Sequence, residues 1–443
     1  MKFKSKTTKM PDLTLILLVT LLIIYGLLAL NQATLWAGPS FMIKQIIWIG
    51  VGVIVMFLVT FLVRLTTVLA FSYFFYIFSI IFLLMPLIPG LGAGEAHRWV
   101  DFRIFKAQPS DIAKLAVIFV LARYLTERYA FWDSIKRFIF KWIRSEDKFL
   151  LLPPIQRRKT DDPVIIIESI LITLIPFLII LAEPDLGTSV VFIFILLSML
   201  YIAGVGLSTI IYLIAPCLAI SLSIILVTGS YGSVGWILMV ILFLILIVTF
   251  IFFKQKTVTI IVVLVINFVM VSSGPLIWNY VLKEYQKKRI MTFINPDEDP
   301  TGAGWHILQS KIAIGSGKLW GEGMLNLEDR ELSFLPEQHT DFIFSVIAKK
   351  GGFIGSVILL LLFFLFVRRI FYLSTEAKYQ SYSLIVVGIG TLFAFQILVN
   401  IAMTLGVLPV VGIALPFVSY GGSSMLMSFI LLGVLLDISR TAK

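Results

Sequence analysis

The sequence predicts an all-α polytopic membrane protein with about twelve transmembrane helices, on three observations. First, of 443 residues 59% are hydrophobic and only 14% are charged, with a mean hydropathy of +1.01. Soluble globular chains run about 45–50% apolar and about 25% charged, so this chain has too little polar surface to clothe a water-soluble shell. Second, its apolar residues come in runs of the roughly 20 residues that a helix needs to cross a hydrocarbon core. Third, lysine and arginine gather in alternate connecting loops, the pattern that sets membrane orientation. The net charge of +11 is therefore read as topology, and no nucleic-acid partner is expected.

The first run, 12–31, follows four lysines in MKFKSKTTK. It is too long for a signal h-region and no small-residue cleavage site follows, so it reads as a span. Runs 41–63 and 67–89 flank Arg64, and a loop at 90–109 carries Arg98, Arg103 and Lys106. The next run, 110–125, opens on QPSD, a helix start with cap, proline and early acid. A basic loop at 126–163 with KRF, KWIR and RRK clusters follows; it reads as contact with anionic lipid heads or as topology alone. Runs 164–182 and 187–204 are joined by LAEPDLGTS, where Pro184 cannot continue a helix without losing a hydrogen bond. Runs 209–228, 235–253 and 257–273 come next, with a break at Gly229–Gly235 that also reads as a kink.

A loop at 274–340, 67 residues long and mixed in charge, is of a length that is usually functional. The last runs are 344–367, 382–405 and 414–437. Pro409, Pro416, Gly421 and Gly422 interrupt LGVLPVVGIALPFVSYGGSSM, and irregular backbone at membrane depth survives only where protein or water satisfies it. These spans should border a cavity, or else are kinked helices joined by a short outer turn. The N-terminal lysines, Arg64, loop 126–163, Lys254, Lys256, Arg368, Arg369, Arg440 and Lys443 share one side. That side is expected to be cytoplasmic, with both termini inside and 90–109 and 274–340 outside. Cys217, the single cysteine, lies in an apolar run and can form neither an internal disulfide nor a thiolate zinc site.

Charged groups in a bilayer are expensive and mostly face a cavity, so they are the candidates. Glu183 and Asp185 read as a carboxylate pair at a cavity rim, or as a turn in which Asp185 caps the next helix. Lys114, one turn inside its span, either snorkels to head groups or lines a cavity where it could hold phosphate. Arg98, with its planar fork for phosphate oxygens, stands beside Trp99, which equally suits the interfacial belt. In FLPEQHTDFIF, Thr340 or Asp341 could cap a helix. Glu337 and His339 are titratable neighbours, and a carboxylate facing a bound sugar could remove a hydroxyl proton as a general base. The three histidines, His97, His306 and His339, match no metal-binding spacing.

Taken together, HRW, QPSDIAK, EPDLGTS, NPDEDPTGAGWHILQSKIAIGSG, FLPEQHTDFIF and LPVVGIALPFVSYGGSSM resemble the SEDS family (shape, elongation, division and sporulation), most of all its rod-shape elongation branch, RodA. The resemblance covers nearly the whole chain, 1–443, as a single SEDS membrane domain, apart from the basic loop and residues 205–273. It implies an inverting peptidoglycan glycosyltransferase that polymerises lipid II on the outer face of the bacterial cytoplasmic membrane, in cell elongation and shape maintenance. It implies a class B penicillin-binding protein, a transpeptidase, as partner within the elongation machinery. By the same resemblance Asp341 is the catalytic base, Arg98 and Lys114 hold the donor diphosphate, and Trp99, Asp185, Glu337 and His339 line the substrate site. Asp185 could instead position Lys114 or a divalent ion. The resemblance establishes no cofactor but admits a divalent cation, Mg or Mn. A lipid II flippase, or a division or sporulation paralogue with the same chemistry, is the alternative.

The chain departs from the family pattern in four places. Two extra spans lie between EPDLGTS and KKRIMTFINP, beyond the family's usual ten. Asp111 replaces a glutamate. LNLEDREL replaces a glutamine-rich stretch. Lys349 and Lys350 stand where the family usually has acids. If the span begins near Phe342 these lysines lie about 12 Å down it, so either residues 341–348 run along the interface or the lysines face an acid.

Overall fold

With no water to satisfy them, backbone N–H and C=O groups in a bilayer must pair within their own segment, and this chain pairs them as helices. The structure is a computed structural model that describes residues 10–34, 40–88, 92–93, 98–101, 106–127, 163–183, 185–228, 232–294, 303–323 and 338–441. The helices are α1 (Leu13–Ala33), α2 (Ser40–Leu62), α3 (Leu65–Ala70), α4 (Ser72–Leu84), α5 (Pro109–Glu127), α6 (Pro163–Ala182), α7 (Leu186–Ala203), α8 (Leu207–Val227), α9 (Gly232–Phe252), α10 (Thr257–Leu276), α11 (Glu284–Ile294), α12 (Ala303–Ser316), α13 (Ile343–Glu376), α14 (Gln380–Thr404) and α15 (Gly422–Thr441). A small antiparallel sheet, β1 (Gly92–Ala93), β2 (Trp99–Asp101) and β3 (Lys106–Ala107), precedes α5. The protein is all-α and polytopic, as expected.

Among the described residues ten helices are long and apolar enough to cross a membrane. The other two expected spans differ in kind. The run 67–89 is the pair α3 and α4, broken at Phe71 and extended by a 3-10 turn, Met85–Leu87. The run 110–125 is one continuous helix, α5, but it carries Asp111, Lys114, Arg123 and Glu127 and is buried on nearly every face. Two boundaries also shift. The last helix begins at Gly422, not 414, because 405–421 is non-helical. The helix α13 extends to Glu376 and breaks at Gly352 (φ 64°, ψ −162°).

The chain divides into two units. One takes residues 204–305 with 159–161. Its helices α8, α9 and α10 pack through Tyr212, Ala215 and Ala219, through Met239, Leu242, Leu246 and Phe250, and through Val263. The spacing on α9 is that of one helical face. The Ser223 hydroxyl donates to Val271 O at 2.6 Å, joining α8 to α10. A π-helical turn, Ile277–Val281, then leads to α11. The Gly229–Gly235 break thus separates two helices, α8 and α9.

The other unit takes residues 1–158, 162–203 and 306–443. Here α5 is central, packed by α4, α6, α7 and α14, while α15 lies along α2 and α13 along α1. At one end Asp12 caps α1 by accepting from Thr14 N and Leu15 N. Its other oxygen receives two 2.6 Å contacts from the Arg369 guanidinium, and its N–H donates to Ser439 Oγ at 3.1 Å. Arg440 donates to Thr60 O at 2.7 Å. The start of α1, the end of α2 and the far ends of α13 and α15 therefore lie together.

Candidate active site

The non-helical segment 405–421 organises the site. It holds Pro409 and Pro416, and Gly406, Gly412, Phe417 and Gly421 take positive φ. A phenylalanine at φ 62° is strained by roughly 1–3 kcal/mol. Burial of its ring among Phe366, Phe393 and Phe429, each 5.7 Å away, holds Phe417 there.

Three successive carbonyls ahead of α13 are bolted down, two to this segment and one through α14. Tyr420 N donates to His339 O at 2.9 Å, Ser419 Oγ to Thr340 O at 2.7 Å, and Asn400 Nδ2 to Asp341 O at 2.9 Å. The same Asn400 amide donates to Ile413 O at 2.7 Å. Gln45 of α2 adds a fourth tie, donating to Ser419 O at 3.2 Å. The N-cap of α13 is Phe342, whose side chain makes no cap bond, and Asp341 stands one residue ahead of it. The Asp341 carboxylate, partly exposed, lies against Gly412: a Cβ there would stand 3.3 Å from Oδ2. The His339 ring packs with Phe41 and Tyr420, at 4.8 and 5.7 Å between centroids. Glu337 lies outside the described residues.

A second wall is the α6–α7 corner. Asp185 caps α7, its Oδ1 accepting from Thr188 N at 3.1 Å. Its Oδ2 accepts from Gln108 Nε2 at 3.3 Å and lies 3.7 Å from an Arg98 guanidinium nitrogen. The sheet brings these two donors side by side: Arg98 enters β2, Gln108 leaves β3, and β2 pairs with β3 through Val100 and Ala107. Trp99 opens β2 opposite Ala93. Two residues after Asp185, Gly187 abuts Val411 so closely that a Cβ would stand 2.7 Å from it. One stretch, 411–412, thus touches the corner on one side and Asp341 on the other.

Lys114, 5% exposed, does not snorkel: its Nζ is 2.6 Å from Asp111 Oδ1. Ser423, in the first turn of α15, donates to Asp111 Oδ2 at 3.5 Å. Lys114 is therefore held by Asp111, and Asp185 by Arg98. Glu183 is also buried, and its Oε1 meets no donor among the described residues. Burial, with a smaller push from Asp185, raises its carboxyl to about 8 against the opposing pull of Arg98.

Among the described residues the donor set does not suit a metal ion. Among the described residues no group of three or more His, Cys, Asp or Glu side chains converges, and Asp111 and Asp185 each face a cation.

Residues 343–350 are buried throughout, so they do not run along an interface. Lys349 and Lys350 face an acid: each Nζ is 3.6 Å from the Glu322 carboxylate. Reading the sequence had not found Glu322, Asn400, Gln45, Ser419 or Gly412. Asn400 and Gln45 did carry a signal, a lone amide inside an apolar span.

A family model for the cell cycle proteins FtsW, RodA and SpoVE matches residues 9–234 and 217–443, which together cover almost the whole chain. The chain belongs to this family. Its relatives in the FtsW/RodA/SpoVE family include stage V sporulation protein E of Bacillus subtilis (strain 168), 30% identical over 98% of both chains. They also include a protein of Escherichia coli (strain K12) named peptidoglycan glycosyltransferase MrdB, 30% identical over 96% of this chain and 93% of that one. The fold matches a chain solved in work on the structural coordination of polymerization and crosslinking by a peptidoglycan synthase complex. That match has a TM-score of 0.67 at 24% identity, over 97% of this chain and 98% of that one.

Proposed function

We propose that this protein is an inverting peptidoglycan glycosyltransferase that polymerises lipid II. The names of its relatives support the activity. The observation that carries the mechanism is the fixed backbone of 339–341, which holds the partly exposed Asp341 carboxylate beside Gly412. Asp341 accepts the proton of the acceptor sugar's 4-hydroxyl. The oxygen attacks the donor's anomeric carbon from the face opposite the diphosphate, the bond to the diphosphate breaks, and its electron pair leaves with the lipid diphosphate. A positioned base is worth about 10²–10⁴-fold. Arg98 and Lys114 meet the negative charge that grows on the leaving group, where fixed cations away from water are most effective. Trp99, Asp185, Glu337 and His339 complete the substrate site on this reading, and Asp185 acts by orienting Arg98. Mg or Mn is proposed only as a counterion carried by the diphosphate.

The site is assigned to the outer face of the bacterial cytoplasmic membrane, with both termini inside. The end shared by Asp12, Arg369, Ser439 and Arg440 carries two arginines, and the part of α13 after Gly352, about 24 Å of helix from Phe353 to Arg369, lies between it and the half-helix that follows Asp341. The proposed partner is a class B penicillin-binding protein, supported by the description of the matching structure as a complex that couples polymerization to crosslinking. The proposed role is cell elongation and shape maintenance.

Purified protein, alone and with that partner, given lipid II in detergent, tests the reading. Glycan strands without any second compartment separate a polymerase from a flippase. No strands from the wild type, or full activity in Asp341→Ala, would overturn it.

A further inference from the structure

The break at Gly352 makes Ile343–Lys350 a half-helix about 12 Å long, with Asp341 just ahead of one end and two lysines at the other. Residues 317–323, which follow α12, lie along the break. Glu322 N donates to Lys349 O at 3.2 Å and Gly323 N to Lys350 O at 3.0 Å. In return Phe353 N donates to Lys318 O at 2.8 Å and Ile354 N to Leu319 O at 3.2 Å. The two backbones meet at glycines: a Cβ on Gly352 would stand 2.3 Å from Gly321 N. The Glu322 carboxylate closes the junction, one oxygen 3.6 Å from Lys349 Nζ and the other 3.6 Å from Lys350 Nζ. With 3% and 1% of their surfaces exposed, these ammonium groups need an anion at hand, and at the C-terminal end of a half-helix they also complement its dipole.

We propose that Glu322 is a positioning residue: by bridging Lys349 and Lys350 it sets the angle of the half-helix and hence the place of the Asp341 carboxylate. The proposal rests on the reading of Asp341 as the base. A rigid rod of this length turned by about 10° moves its far end by about 2 Å, and an error of about 1 Å in a reacting geometry can cost about 100-fold. The outer loop would thus govern turnover without touching substrate.

The test uses the full chain in detergent with lipid II. Glu322→Gln, which keeps the shape and removes the charge, lowers kcat at least tenfold, leaves KM within threefold, and lowers the unfolding temperature. Glu322→Lys does the same more strongly. The charge-reversed triple variant, E322K with K349E and K350E, raises kcat at least threefold above E322K and recovers part of the unfolding temperature, the rest being lost to glutamates that oppose the half-helix dipole. Wild-type turnover in Glu322→Gln, a change confined to KM, or a triple variant no better than E322K would each overturn the proposal. Asp341→Ala in the same assay isolates the underlying reading: if it polymerises, Asp341 is not the base, while recovery of the unfolding temperature on charge reversal still reports on the bridge.

Discussion

Asp341 and Gly412 face each other so closely that a methyl group on Gly412 would crowd the carboxylate. Gly412 has φ 72°, and a Cβ there would lie 3.3 Å from Asp341 Oδ2. Alanine would be strained at this φ by roughly 1–3 kcal/mol and would press on the carboxylate. Gly412→Ala is therefore expected to lower kcat at least tenfold. Gly50, on α2, has no atom within 4 Å of a built Cβ, so Gly50→Ala is the control and should keep wild-type turnover. Equal rates in both variants would refute the contact's importance.

Replacing Asp341 itself by Asn keeps the shape and removes the proton acceptor. Turnover should fall by about 10²–10⁴-fold, with KM for lipid II changed by less than threefold. A rise in KM at unchanged kcat would move Asp341 from catalysis to binding.

Asn400 is wholly buried, and its amide serves Asp341 O and Ile413 O together. Asn400→Leu leaves both carbonyls without that donor, at about 1–3 kcal/mol for each buried group left unpaired. Lower thermal stability and lower turnover should appear together. An unfolding temperature equal to that of the wild type would show that the carbonyls find other donors.

Glu183 gives the corner a pH dependence. Its carboxyl is raised from 4.5 to about 8, first by burial and then by Asp185. The folded chain holds this proton where the unfolded chain releases it. The stability that follows is full below about pH 4.5 and declines until about pH 8. The wild type's unfolding temperature should thus fall more steeply between those limits than that of Glu183→Gln. Parallel curves would contradict the assignment.

Much of this was readable in the residues themselves. Charges placed where they are costly pointed to Arg98, Lys114, Asp185 and Asp341, and apolar runs bounded by Asp12 and Arg64 located α1 and α2 to within a few residues. The start of α15 was misplaced because LPFVSYGG is as apolar as a helix. Hydropathy cannot show that Ser419 and Tyr420 spend their hydrogen bonds on the carbonyls of Thr340 and His339. Gly412 and Glu322 were invisible for another reason. A glycine announces nothing about what approaches it, and an acid in an outer loop looks solvated until its partners across the helix break are known.

The cap of α1 carries a consequence for biosynthesis. Asp12 is made well before the guanidinium that matches it, Arg369, 357 positions later, and before Ser439, which accepts from its N–H. The start of α1 therefore gains these two ties only after α13 and α15 have been made. A chain stalled or cleaved before α13 keeps the helix cap on one Asp12 oxygen but leaves the other without its guanidinium.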